Sequence, residues 1–330
     1  MRFSTLGGVS ALAVLAATGA MAQEQVSFGT NWLAQAEHGG FYQAVADGTY
    51  EACGLEVEIV PGGPQVNNRA LLLAGRIDYF MGGDLFQAFA AAQQGIPMVA
   101  VAAIFQKHPQ VIIAHPGEAE TWDDLKNLEI LIAETGFQSF YRWMMSAHGF
   151  TAEQRSAYTF NPAPFLADKR TAMQGYLTSE PYTIEKEGGF EPEVFLIADA
   201  GYSTYATTIE TMAETIETKP EQVKCFVEGS ILGWYNYLYG DNTAANALIK
   251  DANPEMTDDK IAYAIDKMKE YGIVLSGDAL EKGIGVMTDE RVDAFYELMV
   301  DAGVVEPGID YSKAYDTSFV GKGLGMDLAN

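Results

Sequence analysis

Short β-prone runs alternate with helical stretches in the N-terminal part of this 330-residue chain. The β-prone runs predict five strands, at Val26–Thr30, Leu55–Val60, Ile77–Met81, Met98–Phe105 and Val111–Ala114. The stretches between them predict three helices, over Gly39–Ala52, Val66–Ala74 and Leu85–Gln94. This alternation is typical of an α/β protein with a mostly parallel sheet.

A second, smaller unit repeats the alternation before the pattern changes. It predicts strands at Glu129–Ala133, Ala157–Phe160 and Val194–Ala198, and helices over Trp122–Leu128, Phe137–His148 and Lys169–Leu177. After Ala206 the apolar period is helical throughout. There we predict helices over Lys219–Tyr239, Asn242–Lys250, Asp258–Tyr271 and Asp289–Ala302.

A helical return of this kind packs on the first unit, which is then discontinuous in sequence. We therefore predict an α/β fold of two βαβ lobes: lobe I comprises residues 23–108 and 206–330, and lobe II comprises residues 109–205. Two crossing segments, near Lys107–Ala114 and Gly201–Thr208, join the lobes. Because ligands of open α/β sheets bind at the carboxyl ends of strands, two facing sheets predict one shared cleft.

The first 22 residues have the pattern of a secretory signal peptide. Arg2 precedes an apolar run, Leu6 to Ala20, and Ala20-Met21-Ala22 offers the small-x-small site at which signal peptidase cleaves. The run is shorter and richer in Gly and Ala than a membrane span, and no cysteine near the cleavage site supports a lipid anchor. We predict cleavage after Ala22 and export to the periplasm.

The charge balance excludes two classes of partner. A formal net charge of −25 repels nucleic acid and anionic lipid, and it favours a protein that stays monomeric. Cys53 and Cys225 can form a disulfide or stay as buried free thiols, and the sequence leaves both open. The four histidines are scattered without metal-ligand spacing, so we predict neither a metal site nor a cofactor.

Several segments resemble segments of a known protein family and occur in the same order along the chain. They are Asn31-Trp32, Glu37 to Tyr42, Gly54 to Ile59, LAGRIDYFMGG (residues 73–83), QGIPMVAVAAIFQ (94–106) and TWDDLKNLEILIAETG (121–136). Together they resemble the family that includes thiamine-pyrimidine precursor-binding proteins and the pyrimidine synthases of fungi. The resemblance implies the type II periplasmic-binding-protein fold. It also implies a substrate-binding protein of an ABC importer, with a membrane permease as partner.

The resembled motif supplies the first predicted ligand contacts. Asn31 and Trp32 follow the first strand, where an indole offers a flat apolar face and an amide offers both donor and acceptor. Packing in the core is the alternative for Trp32. His38 either reaches the cleft or caps the next helix. Tyr42, in the same motif, completes this group.

The third strand ends at a glycine pair followed by an aspartate. Gly83 lets the backbone approach a ligand, and a helix start exposes free amides that bind anions in many proteins. Asp84, however, is a natural N-cap that occupies those amides itself. We therefore predict that Gly83 and Asp84 contact the ligand and that the ligand is not an anion.

Lobe II is predicted to supply the other contacts. Gln138 lies at a strand-to-helix junction. The resemblance implies that Glu180 recognises the amino group and ring nitrogen of a pyrimidine; a solvated surface carboxylate is the alternative. Tyr182 flanks Glu180. Tyr202, like Tyr205, either closes over the ligand or packs at the hinge.

The charges of the candidate residues predict the chemical class of the ligand. The loops carry Glu37, Asp84, Glu134 and Glu180, against His38 and Arg142 as the nearby basic residues. A desolvated anion facing carboxylates is strongly penalised, so a neutral heterocycle fits better than a sulfonate or nitrate. An aminopyrimidine of the thiamine pathway is the first choice, and riboflavin or another vitamin-like heterocycle is the second.

Catalysis is not expected. The fungal synthases of the resembled family need a lysine, a histidine and a cysteine-rich motif, and these positions correspond to Gly83, Gln87 and the cysteine-free stretch Gly201–Thr208. No Ser/His/Asp or Cys/His spacing replaces them. The remaining alternative is an exported hydrolase with Glu37 and His38 as acid and base.

Overall fold

The computed structural model describes residues 23–329 and contains two five-stranded sheets flanked by helices. The predicted signal peptide, residues 1–22, lies outside the described residues. The strands are β1 (Glu24–Gly29), β2 (Leu55–Val60), β3 (Tyr79–Asp84), β4 (Met98–Phe105), β5 (Gln110–Ala114), β6 (Glu129–Ile132), β7 (Arg155–Ala157), β8 (Thr171–Tyr176), β9 (Glu193–Leu196) and β10 (Ala206–Met212).

The helices of the first part are α1 (Gly39–Ala46), α2 (Thr49–Ala52), α3 (Asn68–Leu73), α4 (Leu85–Gln93), α5 (Glu134–Gly136), α6 (Arg142–His148), α7 (Ala163–Ala167) and α8 (Glu180–Gly188). A π-helical turn, Phe137–Tyr141, joins α5 to α6. The C-terminal return consists of α9 (Ala213–Thr218), α10 (Pro220–Tyr239), α11 (Thr243–Ala252), α12 (Asp258–Glu270), α13 (Ala279–Lys282) and α14 (Asp289–Asp301). No helix in this described range is long and apolar enough to cross a membrane.

The first sheet has the strand order β2-β1-β3-β10-β4. Strand β1 runs parallel to β2 and β3, whereas β10 is antiparallel to both of its neighbours. The sequence predicted only helices after Ala206 and so missed β10. The reason is its composition, ATTIETM, in which buried Thr and Glu side chains interrupt the apolar pattern of a central strand.

The second sheet has the order β7-β6-β8-β5-β9. The predicted helix over Lys169–Leu177 is wrong, because Thr171–Tyr176 forms β8 at the centre of this sheet. Ala172, Met173 and Gln174 are residues that occur readily in helices, but pairing with β5 and β6 overrides that weak preference. The two sheets confirm the predicted α/β class, and each contains one strand, β10 or β5, that is antiparallel to both of its neighbours.

The chain passes between the sheets twice, after β4 and after β9. We keep the predicted division into lobe I and lobe II as a working definition. The C-terminal return packs on lobe I, where α10 lies against α1. A disulfide between Cys53 and Cys225 also joins this return to the segment after α2, with a Cα–Cα distance of 6.0 Å.

Both crossing segments are bound to the C-terminal return through Arg291 on α14. Its guanidinium donates to the backbone oxygen of Gln106 in the first segment and to that of Thr204 in the second, the latter at 3.3 Å. The same group lies over the ring of Tyr205, 4.1 Å from its centroid. One side chain of the C-terminal return therefore contacts both crossing segments.

Candidate functional site

A cavity of about 380 Å³ lies between the lobes, within the size range of small-molecule sites. Lobe I contributes the end of β3 and the start of α4, the first crossing segment contributes one wall, and lobe II contributes the loop after β6 and strand β8. The lining residues are Arg69, Gly83, Asp84, Phe86, Gln87, His108, Gln110, Glu134, Thr135, Gly136, Gln138, Ser139, Phe140, Gln174 and Tyr176.

Four glutamine carboxamides and three aromatic rings dominate the lining. Two of the carboxamides are oriented by the backbone: Gln110 donates to the Gly175 oxygen at 2.8 Å, and Gln174 accepts from the Ala133 amide at 2.7 Å. A carboxamide carries both donors and acceptors, so an oriented set of them suits a ligand whose edge offers both. The rings offer flat apolar faces to such a ligand.

Asp84 is the carboxyl group best placed to meet a ligand from lobe I. It is the N-cap of α4, as predicted, and accepts from the Phe86 amide at 3.1 Å. Its other oxygen accepts from the Tyr202 hydroxyl at 3.3 Å and lies 3.7 Å from His108 Nε2. Burial raises the pKa of Asp84 to about 6 and lowers that of His108 to about 3, so the imidazole is neutral.

Arg69 also lines the cavity, and the count of charges from sequence missed it. Its Nη2 donates to the Gln87 backbone oxygen at 2.6 Å, while its Nε is buried with no hydrogen-bond partner in residues 23–329. Behind it lies Glu210 on β10, which is fully buried. Burial raises the pKa of Glu210 to about 7, and the positive charge of Arg69 opposes that rise.

The comparison with known families decides the relationship. A family model described as NMT1/THI5 like matches residues 35–242. The chain belongs to the NMT1/THI5-like family. This confirms the resemblance predicted from the sequence motifs.

Three solved structures and one sequence relative are similar to this family member over most of its length. The riboflavin-binding protein RibY of Chloroflexus aurantiacus is 24% identical over 323 residues, which cover 90% of this chain and 86% of that protein. The periplasmic aliphatic sulphonate-binding protein SsuA of Escherichia coli matches with a TM-score of 0.62 at 16% identity, over 89% of this chain and 92% of that one.

The periplasmic nitrate-binding protein NrtA of Synechocystis PCC 6803 matches with a TM-score of 0.59 at 11% identity, over 90% of this chain and 87% of that one. The desulfurization enzyme DSZB matches with a TM-score of 0.54 at 10% identity, over 90% and 97%. These likenesses confirm the periplasmic-binding-protein fold, and the presence of an enzyme among them means that the fold alone does not decide between binding and catalysis.

Three residues predicted to contact the ligand of this NMT1/THI5-like protein line the cavity: Gly83, Asp84 and Gln138. The amide nitrogen of Asn31 lies 3.9 Å from the point where a Cβ on Gly83 would stand, beside the same wall. For each of these, contact with a ligand stays a prediction.

The Trp32 ring meets lobe II at a different point, 5.0 Å from the ring centroid of Phe160. Phe160 has a left-handed backbone (φ 61°), which is uncommon for a bulky side chain, and it is 47% exposed. Strained aromatic positions of this kind occur at ligand sites. The pair joins the two lobes outside the cavity lining.

His38 and Tyr42 are buried inside lobe I and do not line the cavity. Neither ring nitrogen of His38 has a partner within the described residues, and burial lowers its pKa to about 3. Neighbouring Glu37 is also buried, and it accepts a hydrogen bond from Thr178 of lobe II. Burial raises the pKa of Glu37 to about 7.

The last three predicted contacts also lie outside the cavity lining. Glu180 begins α8 and accepts from the Tyr176 amide at 2.7 Å. Tyr182 packs against Tyr263 of α12, with ring centroids 5.3 Å apart. Tyr202 is fully buried and reaches the cavity only through its hydrogen bond to Asp84. Their contacts with a ligand stay predictions.

The sequence reasoning missed most of the carboxamides for a local reason. Gln174 was assigned to a helix, so its inward position on β8 was not visible. Gln110 was placed before the start of a strand, although it is the first residue of β5. Neither strand, QVIIA nor TAMQGY, alternates apolar and polar residues, so periodicity gave no signal for either glutamine. No group of three or more His, Cys, Asp or Glu side chains within residues 23–329 is arranged to hold a metal ion.

Proposed function

We propose that this chain is the periplasmic binding component of an ABC importer and captures one neutral nitrogen heterocycle between its lobes. The observation that carries the proposal is the interlobe cavity, whose lining combines oriented carboxamides with aromatic rings. A membrane permease is the partner that receives the ligand. Contacts from both lobes favour the closed form, so ligand binding shifts a hinge equilibrium.

Within this class, a flavin-type ring is the first candidate. The pyrimidinedione edge of a flavin alternates carbonyl acceptors with an N–H donor, and carboxamides such as Gln110 and Gln174 complement that edge. The similarity to a riboflavin-binding protein, at 24% identity, supports this candidate. The volume of about 380 Å³ is also large for a single pyrimidine ring and small for a macromolecular segment.

An aminopyrimidine is the second candidate, and Asp84 favours it. A carboxyl group in the cavity pairs well with an amino group and a ring nitrogen. Glu180, to which the family resemblance gave this role, is not in the cavity lining, which places the aminopyrimidine behind the flavin.

Sulfonate or nitrate binding is disfavoured by charge. The amide at the start of α4 is already occupied by the Asp84 carboxylate, so this helix end offers less to an anion. The lining contains Asp84 and Glu134 against Arg69, and Glu134 is paired with Arg155 at 2.9 Å. A desolvated anion would therefore meet the Asp84 carboxylate, and no positive charge in the lining is left unbalanced.

Binding without catalysis is part of the proposal. An exported hydrolase would use Glu37 and His38, but neither lines the cavity and the two are not hydrogen-bonded to each other in the described part of the chain. An acid–base pair must reach the reacting atoms within hydrogen-bond distance. The proposal therefore assigns no turnover to this site.

Calorimetry with the mature chain, residues 23–330, tests the proposal. Riboflavin, an aminomethylpyrimidine, taurine and nitrate are titrated separately. The expected result is one-site binding of a heterocycle, with the ligand recovered unchanged by mass spectrometry. Saturable binding of taurine or nitrate alone, or conversion of the heterocycle, contradicts the proposal.

A further inference from the structure

Arg69 and Glu210 lie on the two sides of the backbone at the end of β3. Helix α3, which carries Arg69, packs against β10, which carries Glu210. The Glu210 carboxyl lies directly against Gly82: a Cβ added there would stand 2.1 Å from Glu210 Oε1. Only a glycine at position 82 leaves room for this carboxyl beside the cavity wall.

Each of these two charged groups has an atom without a partner. Glu210 Oε1 accepts from the Thr208 hydroxyl at 3.0 Å, but its Oε2 is buried without a hydrogen bond in residues 23–329. The buried Nε of Arg69 is in the same condition. The two side chains form no ion pair within 4.0 Å of each other, so Glu210 acts on Arg69 through its charge and not through a hydrogen bond.

A fully buried carboxylate is costly unless a positive charge lies nearby, and Arg69 is the cation whose charge acts on Glu210. Asp84 and Glu210 face the same region, and both are acidic. With both carboxyls ionised, two negative charges face the one positive charge of Arg69, and Glu210 supplies the excess. The guanidinium keeps a free donor but lacks the excess charge that an anion needs.

We propose that Glu210 sets the charge specificity of the cleft: its negative charge, together with that of Asp84, outweighs the positive charge of Arg69, so phosphorylated and sulfonated molecules are excluded while the Arg69 guanidinium donates to a neutral oxygen of the ligand. The inference rests on the proposed function, because it assumes that the cavity holds the ligand. Arg69 contacts the ligand, and Glu210 acts through its charge alone.

The test uses the mature chain and two flavins that differ only in a phosphate, riboflavin and flavin mononucleotide, at pH 8. Wild type is expected to prefer riboflavin. Glu210→Gln is isosteric and removes one negative charge, so it should raise the affinity for flavin mononucleotide relative to that for riboflavin about tenfold. Arg69→Gln should weaken riboflavin binding by about tenfold or more.

Glu214→Gln is the matched control, since it removes the same unit charge from an exposed position on the same lobe. An equal change in Glu214→Gln and Glu210→Gln would assign the effect to overall charge and overturn the inference. An unchanged ratio of the two affinities in Glu210→Gln, with riboflavin still bound, overturns the inference and leaves the proposed function intact.

A second experiment tests the role of Glu210 without requiring that the protein bind a flavin. Sodium sulfate is titrated at constant ionic strength, with thermal unfolding as the readout. Sulfate should stabilise folded Glu210→Gln more than it stabilises wild type and Glu214→Gln, which respond only to the general salt effect. If wild type binds no flavin, the flavin proposal fails, and the sulfate titration still decides whether Glu210 controls the charge of this wall. Equal sulfate responses in all three proteins reject that role.

Discussion

The two lobes contribute different chemistry to one cavity. Lobe I supplies the charged groups, Arg69 and Asp84, with Glu210 buried behind them. Lobe II supplies uncharged hydrogen-bonding groups and rings, and its one carboxylate in the lining, Glu134, is paired with Arg155. We infer from this difference that lobe I selects ligands by their charge. Lobe II selects them by their shape and hydrogen-bonding pattern.

The lobes also differ in how they are stabilised. Lobe I carries the Cys53–Cys225 disulfide and the C-terminal return, whereas no disulfide lies within lobe II among the described residues. Charged groups need fixed neighbours, because an unpaired buried charge is penalised more than an unpaired amide. The lobe with the buried charges is therefore the one with the additional cross-link.

Removal of the disulfide is expected to give the largest effect and to act on lobe I. The bond closes a sequence separation of 172 residues, and loss of a native disulfide costs about 2–5 kcal/mol of unfolding free energy. Cys53→Ala combined with Cys225→Ala should show this loss in urea unfolding. Reductant should destabilise wild type by a similar amount and leave the double variant unchanged; a response of the variant to reductant contradicts the assignment.

The buried carboxyl of Glu37 predicts the next largest effect, a pH dependence of stability. Burial raises its folded pKa from 4.5 to about 7, so the folded state binds a proton more tightly than the unfolded state. Stability from this group is complete below pH 4.5 and is lost as pH rises towards 7, by on the order of 3 kcal/mol. Glu37→Gln should remove this part of the slope.

Thermal unfolding between pH 4.5 and 8 measures the contribution of Glu37 to the pH dependence of stability. Glu153→Gln is the control, at an exposed position of lobe II. The difference in stability between Glu37→Gln and wild type should grow with pH. A constant difference across this range would mean that Glu37 keeps an ordinary pKa. Asp84 and Glu210 contribute slopes of the same sign to both proteins.

A carboxamide variant in lobe II tests whether the two lobes select different properties of the ligand. Gln138→Ala removes one hydrogen-bonding group from the lining, and we expect about fivefold weaker binding of riboflavin. Flavin mononucleotide should weaken by the same factor, because lobe II does not select charge. Gln65→Ala, at an exposed position outside the lining, is the control. A changed ratio of the two flavins in Gln138→Ala breaks the proposed division between the lobes.

The smallest effect is expected at the hinge. Arg291→Lys cannot donate to both crossing segments while stacking on Tyr205, so the interlobe angle should vary more widely. We expect a larger scattering radius without ligand and about threefold weaker ligand binding. Arg170→Lys, an exposed arginine of lobe II, is the matched substitution. Equal radii for both variants would show that Arg291 does not restrict the hinge.

Much of the fold follows from local pattern. The strands Leu55–Val60 and Met98–Phe105 have the predicted limits, because apolar β-branched runs bounded by turns are strong signals. Strands β8 and β10 escaped prediction because both lie at sheet centres with polar residues facing inwards. Those polar residues, Gln174 and Glu210, belong to or support the site, so local pattern fails where function places polar groups in the core.

The site was predictable in part. Gly83, Asp84 and Gln138 follow strand ends, where the topology of α/β sheets places ligands. Arg69 was not predictable, because it lies on a short helix and enters the cavity only through the packing of α3 beside α4. The net charge of the site therefore depends on residues that are not neighbours in the sequence.

A crystal structure of the mature chain with riboflavin tests the central claim most directly. The ring system should lie between the lobes, with its pyrimidinedione edge hydrogen-bonded to Gln110 or Gln174 and one oxygen hydrogen-bonded to the Arg69 guanidinium. An oxyanion bound at Arg69 in place of the ring, or a flavin held away from the interlobe cavity, would contradict it.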